Sequence, residues 1–177
     1  NPISALVDIT NYLTFDRARP LHVFDADKLS GGLTVRRSVE GEKFHALDDK
    51  IYELNEGMIV ITDEKEIVSL GGIIGGMKSA VSDETKNVLL EAAYFDPISI
   101  ASTGRKLQIN SDARYRFERG VDPSFTLSGS HIATKMILDL CGGQASDLMV
   151  AGTEPSSNKK IIFSPKKVNQ LIGIEVN

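Results

Sequence analysis

Cysteine is almost missing from this chain: Cys141 is the single one among 177 residues. An intramolecular disulfide is impossible, and a thiolate metal site is excluded for practical purposes. A reducing compartment, the cytoplasm, fits best. Long apolar runs are missing as well. No stretch approaches the roughly 20 residues a membrane span needs, so no membrane contact is expected. A basic excess is also lacking: 20 Lys+Arg stand against 24 Asp+Glu, a formal charge of −4. General nucleic-acid binders carry the opposite balance, so any RNA contact must be local or shared with a larger assembly. The opening NPISALVDIT has neither the basic region nor the cleavage site of a signal peptide. Without an initiator Met, the chain reads as a piece of something longer.

Motifs of common catalytic sites are absent too. The glycine-rich run Gly71–Gly76, GGIIGG, is followed by no GK[ST] and does not fit GxGxxG. Gly72 and Gly75 match the short loop of KH domains only weakly. A tight turn and a close backbone approach by a ligand remain equally open for this run. No GxSxG motif or Cys–His pairing occurs. His22, His45 and His131 lack metal-ligand spacing, so no metal is expected.

What is present is an ordinary soluble mixture, 41% hydrophobic and 25% charged, long enough to bury a core without staples. LTVRRSV alternates, placing Leu33, Val35, Arg37 and Val39 on one face. FHALDDKIYEL predicts a hairpin turning at Asp48-Asp49-Lys50. MIVIT and IVSLGGII read as buried strands joined by DEKE. NVLLEAAYF, residues 87–95, reads as an interior strand with Glu91 its odd residue. Asp96 followed by Pro97 has the grammar of a helix start, and Asp122 with Pro123 repeats it. Phe125, Ile132, Met136, Ile137 and Leu140 follow helical spacing up to a stop at Gly142 or Gly143. Cys141, at the end of that pattern, reads as a small core residue. GTEPSSNKK (152–160) is a polar linker, and a new strand–helix pattern begins beyond it. A strand-rich first two-thirds followed by a long helix implies an α+β fold, with mixed β-sheets in a layered sandwich and helices on one side.

Three residues or stretches invite chemistry. A carboxylate inside an apolar strand is costly unless paired, so Glu91 is either half of a buried ion pair, with an arginine from 114–119, or a ligand-facing acceptor or base. His22, in PLHVFD, is a lone histidine and by itself more often structural than catalytic. NSDARYRFERG (110–120) gathers Arg114, Arg116 and Arg119 around two aromatic residues. As a strand it puts Ala113, Tyr115, Phe117 and Arg119 on one face, and Arg114, Arg116 and Glu118 on the other. A salt-bridge ladder and a contact for something anionic are the two readings.

Taken in order, VDITNY, RPLHVFDADKL, LGGIIGG, NVLLEAAYFDP and SDARYRFERGVDP resemble the bacterial phenylalanine–tRNA ligase β subunits in their central editing domain. The resemblance covers about residues 1–150. It implies an editing domain over 1–152, then a linker and the start of the next β-subunit domain over 153–177. It further implies an α2β2 parent that charges tRNA(Phe) with phenylalanine, with ATP and magnesium used at the α subunit. No cofactor is implied for this segment. The implied task here is hydrolysis of tRNA(Phe) wrongly charged with tyrosine. By motif position, Glu91, Gly75, Ser111 and Ala113 would form the tyrosine pocket, and His22, Asn11 and Thr10 would lie near the ester and the attacking water. Many relatives carry Thr where this chain has Ser111. The alternative is a non-catalytic scaffold for tRNA and subunit contacts with a degenerate pocket.

Overall fold

The computed structural model describes residues 4–155 and 160–173. The first helix, α1 (Ala5–Arg17), starts at Ser4, whose side chain accepts from the Val7 N–H, and ends where Ala18 turns left-handed at φ 50°. Eight short strands follow: β1 (His22–Asp25), β2 (Thr34–Arg37), β3 (Glu42–His45), β4 (Ile51–Leu54), β5 (Ile59–Thr62), β6 (Ile67–Leu70), β7 (Ile74–Gly75) and β8 (Val88–Glu91). Then come α2 (Pro97–Leu107), α3 (Asp112–Phe117), α4 (Phe125–Cys141) and α5 (Pro165–Ile172). The class is α+β. The sheets, expected to be mixed, have only antiparallel pairs among the described strands.

Strands β2-β5-β6-β7 form one sheet in that order, while β3–β4 and β1–β8 are separate two-stranded ribbons. The β3–β4 hairpin turns as expected, with Asp49 left-handed at φ 62°. Its end is tied to β7 by Leu47 N–H donating to the Gly75 carbonyl at 3.0 Å. The run IVSLGGII is not one strand. Ile73 N–H donates to the Leu70 carbonyl, Gly72 takes φ 68°, and β7 folds back on β6. The strand expected over 87–95 pairs only through Glu91 and leaves the ladder before Ala92.

The largest core lies among the four-stranded sheet, the β3–β4 hairpin, α2 and α3, and includes Phe24, Phe44, Leu54, Val60, Leu70, Phe95 and Ile100. A second, smaller core joins α1 to α4 through Ile9, Leu13 and Ala133, with Leu21 and Leu90 packed against it. Ribbon β1–β8 therefore lies between the two. Phe24 and its cross-strand partner Leu89 belong to the first core, and Leu90, opposite Val23, belongs to the second. Alternation along a strand makes this two-sided packing possible.

Helix α2 begins as expected: Asp96 accepts from Ser99 N–H at 2.8 Å and Pro97 opens the first turn. Helix α4 begins two residues later than expected. Ser124 occupies its N-cap with no side-chain bond, because the Asp122 carboxylate is already turned onto Ser124 N–H and Oγ. Gly142, at φ 77°, stops it. The buried face of α4 is Gly129, Ser130 and Ala133, whereas Leu140 is exposed. Cys141 is exposed, not a core residue. The linker expected over 152–160 falls partly outside the described residues. No strand forms at 160–164, and α5 follows.

Candidate functional site

In the β1–β8 ribbon His22 stands directly opposite Glu91. Directly opposed residues project from the same face with Cβ atoms about 4.5–5.5 Å apart. That face also carries Phe24, whose ring meets the His22 imidazole edge-on at 4.4 Å between centroids. Gly75, at the end of β7, closes the site. A Cβ there would lie 2.3 Å from His22 Cε1 and 2.7 Å from Nε2. Glycine is thus what lets the β7 backbone lie against the imidazole.

The Glu91 carboxyl is deep-set but not sealed: it has no hydrogen bond among the described residues, is not among the fully buried unpartnered atoms, and its residue keeps some exposed surface. His22 Nε2 is buried and has no hydrogen-bond partner. Burial lowers the His22 pKa to about 4 and raises that of Glu91 to about 7. Desolvation is the cause in both, and no opposing charge contributes. From about pH 4 to pH 7, neutral imidazole therefore faces neutral carboxyl. The buried ion pair of Glu91 with an arginine, one of the two sequence readings, does not form. Arg114 pairs with Glu118 at 3.0 Å and Arg116 with Asp112 at 3.1 Å.

The other expected site residues divide into two groups. Ser111 and Ala113 sit at the start of α3, not on a strand. Ser111 Oγ donates to the Ile73 carbonyl at 2.6 Å and accepts from Arg114 N–H at 3.0 Å. The hydroxyl is thus held two residues from Gly75, tying α3 to the glycine turn. Ala113 is half-buried against the larger core. Thr10 and Asn11 lie on α1, which packs against the smaller core and contacts β1. The Thr10 hydroxyl donates to the Val7 carbonyl of its own helix at 2.8 Å, and Asn11 is exposed. Among the described residues no hydrogen bond links either to His22 or Glu91.

The run GGIIGG supports the site from behind and does not cradle a phosphate. A Cβ on Gly72 would meet Phe95 at 2.8 Å, and one on Gly76 would meet the Val68 carbonyl at 2.6 Å. Among the described residues no three His, Cys, Asp or Glu side chains group as a metal site. No described helix is long and apolar enough to cross a membrane.

Arg19 went unnoticed in the sequence. Its side chain is almost fully buried, 1% exposed. Nη1 donates to the Ala93 carbonyl at 3.0 Å and Nη2 to that of Asp122. It joins the chain beyond Glu91 to the approach to α4. The signal that could have found it is the spacing of FDRARP, a second arginine-and-aromatic stretch beside RYRFERG.

A protein-family model described as B3/4 domain matches residues 1–142. The phenylalanine–tRNA ligase beta subunit of Cereibacter sphaeroides is 55% identical over 175 residues, 99% of this chain and 22% of that protein. The protein of that name from Rhodospirillum rubrum is 54% identical over 176 residues, again 99% and 22%. The chain spans about a fifth of the length of these relatives. An N-terminal fragment of the phenylalanyl-tRNA synthetase beta subunit from Pyrococcus horikoshii shares a TM-score of 0.42 at 19% identity, over 48% of this chain and 32% of that one. A likeness that slight bears on neither fold nor function.

Proposed function

The chain belongs to the B3/4-domain family, and on that footing we propose that its His22–Gly75–Glu91 cluster hydrolyses the ester of tRNA(Phe) mischarged with tyrosine. The domain would be residues 1–152 of a phenylalanine–tRNA ligase β subunit, with 153–177 leading into the next domain. It would act in the cytoplasm beside an α subunit that charges tRNA. The observation that carries the reading is a deep-set carboxyl with no cation partner, in register with an imidazole whose Nε2 is buried and unpartnered, beside a glycine that lets the β7 backbone lie against the ring.

Tyrosine differs from phenylalanine by one hydroxyl. An apolar pocket rejects an added hydroxyl by only about 10²-fold, whereas a site built to bond that hydroxyl can reject the analogue lacking it by about 10⁴–10⁵. Glu91 supplies the bond. Its carboxyl, with a pKa of about 7, offers the phenol an acceptor oxygen in either protonation state. Phenylalanine would displace solvent from that group without replacing its hydrogen bond. An aminoacyl ester is already activated, so an oriented water and a contact to the developing oxyanion suffice without a covalent nucleophile. His22, neutral above about pH 4, holds a free nitrogen lone pair or N–H at Nε2 for that water or carbonyl. ATP and magnesium belong to charging. The glycine run is filled by Phe95, Ile100 and Phe117, which leaves it no room for a triphosphate.

The scaffold alternative draws on one observation: the Thr10 hydroxyl is already spent within α1. Deacylation of tyrosyl-tRNA(Phe) by the full-length protein separates the two. Glu91→Ala is expected to slow it at least 10²-fold while phenylalanine charging persists. No deacylation by the parent would leave the scaffold, and parental deacylation by the variant would remove Glu91 from the site.

A further inference from the structure

We propose that the cleft between the end of α1, α3 and the approach to α4 seats unpaired nucleotides of an RNA strand. The guanidinium groups of Arg17, Arg116 and Arg119 would meet phosphate, and Tyr115 and Phe15 would form the stacking platform. The choice of RNA over other polyanions rests on the ester-hydrolysis reading. The cleft itself does not.

The cavity has a volume of about 620 Å³ and is lined by these five residues together with Arg19, Asp16 and Asp122, among others. Its lining gathers four arginines and two aspartates, with Arg17 paired through Nε to Asp16 at 2.8 Å. The arginines are held ready. Arg119 lies 3.7 Å over the Tyr115 ring and Arg116 lies 4.9 Å over the Phe15 ring. Each is anchored through Nη1 alone: Arg119 to the Tyr115 carbonyl and Glu118, Arg116 to the Asp112 carbonyl and carboxylate. Nε and Nη2 of both remain without a protein partner among the described residues. Glu118 and Asp112 bring the count to four carboxylates against four arginines, and they fix the planes. Guanidinium groups so fixed suit phosphate, whose oxygens they meet in pairs.

Two further observations point to a ligand. Arg19, 1% exposed, lines the same cavity with its Nε buried and unpartnered. Phe15 and Tyr115 are 64% and 57% exposed, large apolar surfaces left in water at a cleft mouth. Arginine stacked on an aromatic ring beside a charged groove is the usual platform for unpaired bases. The cleft also adjoins the candidate site. Arg19 precedes His22 by three residues, at most about 10 Å of chain, and bonds the Ala93 carbonyl two residues beyond Glu91. A strand seated in the cleft could thus deliver its end to the His22–Glu91 pair.

The test uses the full-length protein and a fluorescent single-stranded oligoribonucleotide, with anisotropy read across a salt series. Tyr115→Ala is expected to weaken binding about 5- to 150-fold, the worth of one base–aromatic stack. Arg119→Gln is expected to weaken it too and to reduce the slope of log K against log salt by about 0.7, one phosphate on a single strand. Tyr115→Phe keeps the ring and is expected to bind as the parent does. Parental affinity and slope in the Ala and Gln variants would overturn the proposal. So would variants that change the mass of the assembly but not RNA affinity, which would make the cleft a protein interface. Hydrolysis of mischarged tRNA is followed in parallel. Glu91-dependent hydrolysis alongside parental RNA binding in both cleft variants overturns this proposal alone. RNA loss in those variants with Glu91-independent hydrolysis overturns the hydrolytic reading alone.

Discussion

Opposed neutral groups at His22 and Glu91 make an unusual demand on stability as a function of pH. Burial lowers the histidine from 6.5 to about 4 and raises the glutamate from 4.5 to about 7. Each displacement corresponds to about 3 kcal/mol. Between pH 4.5 and 6.5 the unfolded chain holds one proton on the pair, on the imidazole. The folded chain also holds one, on the carboxyl. No proton is exchanged with solvent on unfolding, so the pair contributes no pH dependence in that window. Each single variant should uncover the other residue. In Glu91→Gln the depressed histidine remains. Stability is then full above pH 6.5 and falls as pH drops towards 4, by about 1.4 kcal/mol per pH unit. In His22→Gln the raised carboxyl remains, and stability is full below pH 4.5 and falls as pH rises towards 7, at the same rate. Across the window the two variants should diverge by about 5 kcal/mol. Urea unfolding at several pH values reads this directly, because each midpoint should move by roughly 1–3 M over two pH units, in opposite directions. Variants that drift in the same direction, or that both follow the parent, would refute the opposed shifts.

Two further outcomes follow from contacts around the pair. Gly75→Ala puts a methyl 2.3 Å from His22 Cε1, so the imidazole must move. Overpacking should cost about 1–3 kcal/mol, and ester hydrolysis should fall by more than tenfold; a variant with parental hydrolysis and melting would show that the ring has room. Ser111→Ala leaves Arg114 N–H and the Ile73 carbonyl without their partner and should lower stability by about 0.5–2 kcal/mol, while Ser111→Thr, which keeps the hydroxyl, should not. A thermal melt of the two variants decides, and equal melting would show that the cap contributes nothing.

The elements legible in the sequence are those whose signals are local. The hairpin at Asp48–Lys50 and the helix after Asp96 each carry their own turn or capping chemistry, and both form. The stretch 111–117 alternates like a strand yet forms a six-residue helix. Six residues are too few to display a 3.6-residue period, and the Ser111 cap outweighs the alternation. Helix α4 follows its apolar pattern in part: Met136 and Ile137 pack against the smaller core, but its fully buried positions are the small Gly129, Ser130 and Ala133, and Leu140 is exposed. At the site, the oddity of Glu91 was visible as a carboxyl in an apolar run. Its partner in register was not, since nothing local pairs residue 22 with residue 91. Nor could the sequence reveal that Thr10 would bond its own helix, or that Arg19 would be buried on two carbonyls.

Ribbon β1–β8, wedged between two cores, also sets when the site can exist during folding. The turn from His45 to Ile51 closes roughly 6 residues, at an entropic cost of under about 2 kcal/mol. Bringing His22 to Glu91 closes roughly 70 residues, at about 4 kcal/mol. Hairpins β3–β4 and β5–β6 can therefore assemble early, while the ribbon waits until both cores are ready to receive its two faces. A chain emerging from the ribosome holds its α1–β1 segment unpaired until β8 has been made. The His22–Glu91 register is then the last feature the domain acquires, and recovery of the hydrolysis proposed for it, after dilution from denaturant, should lag behind the return of secondary structure.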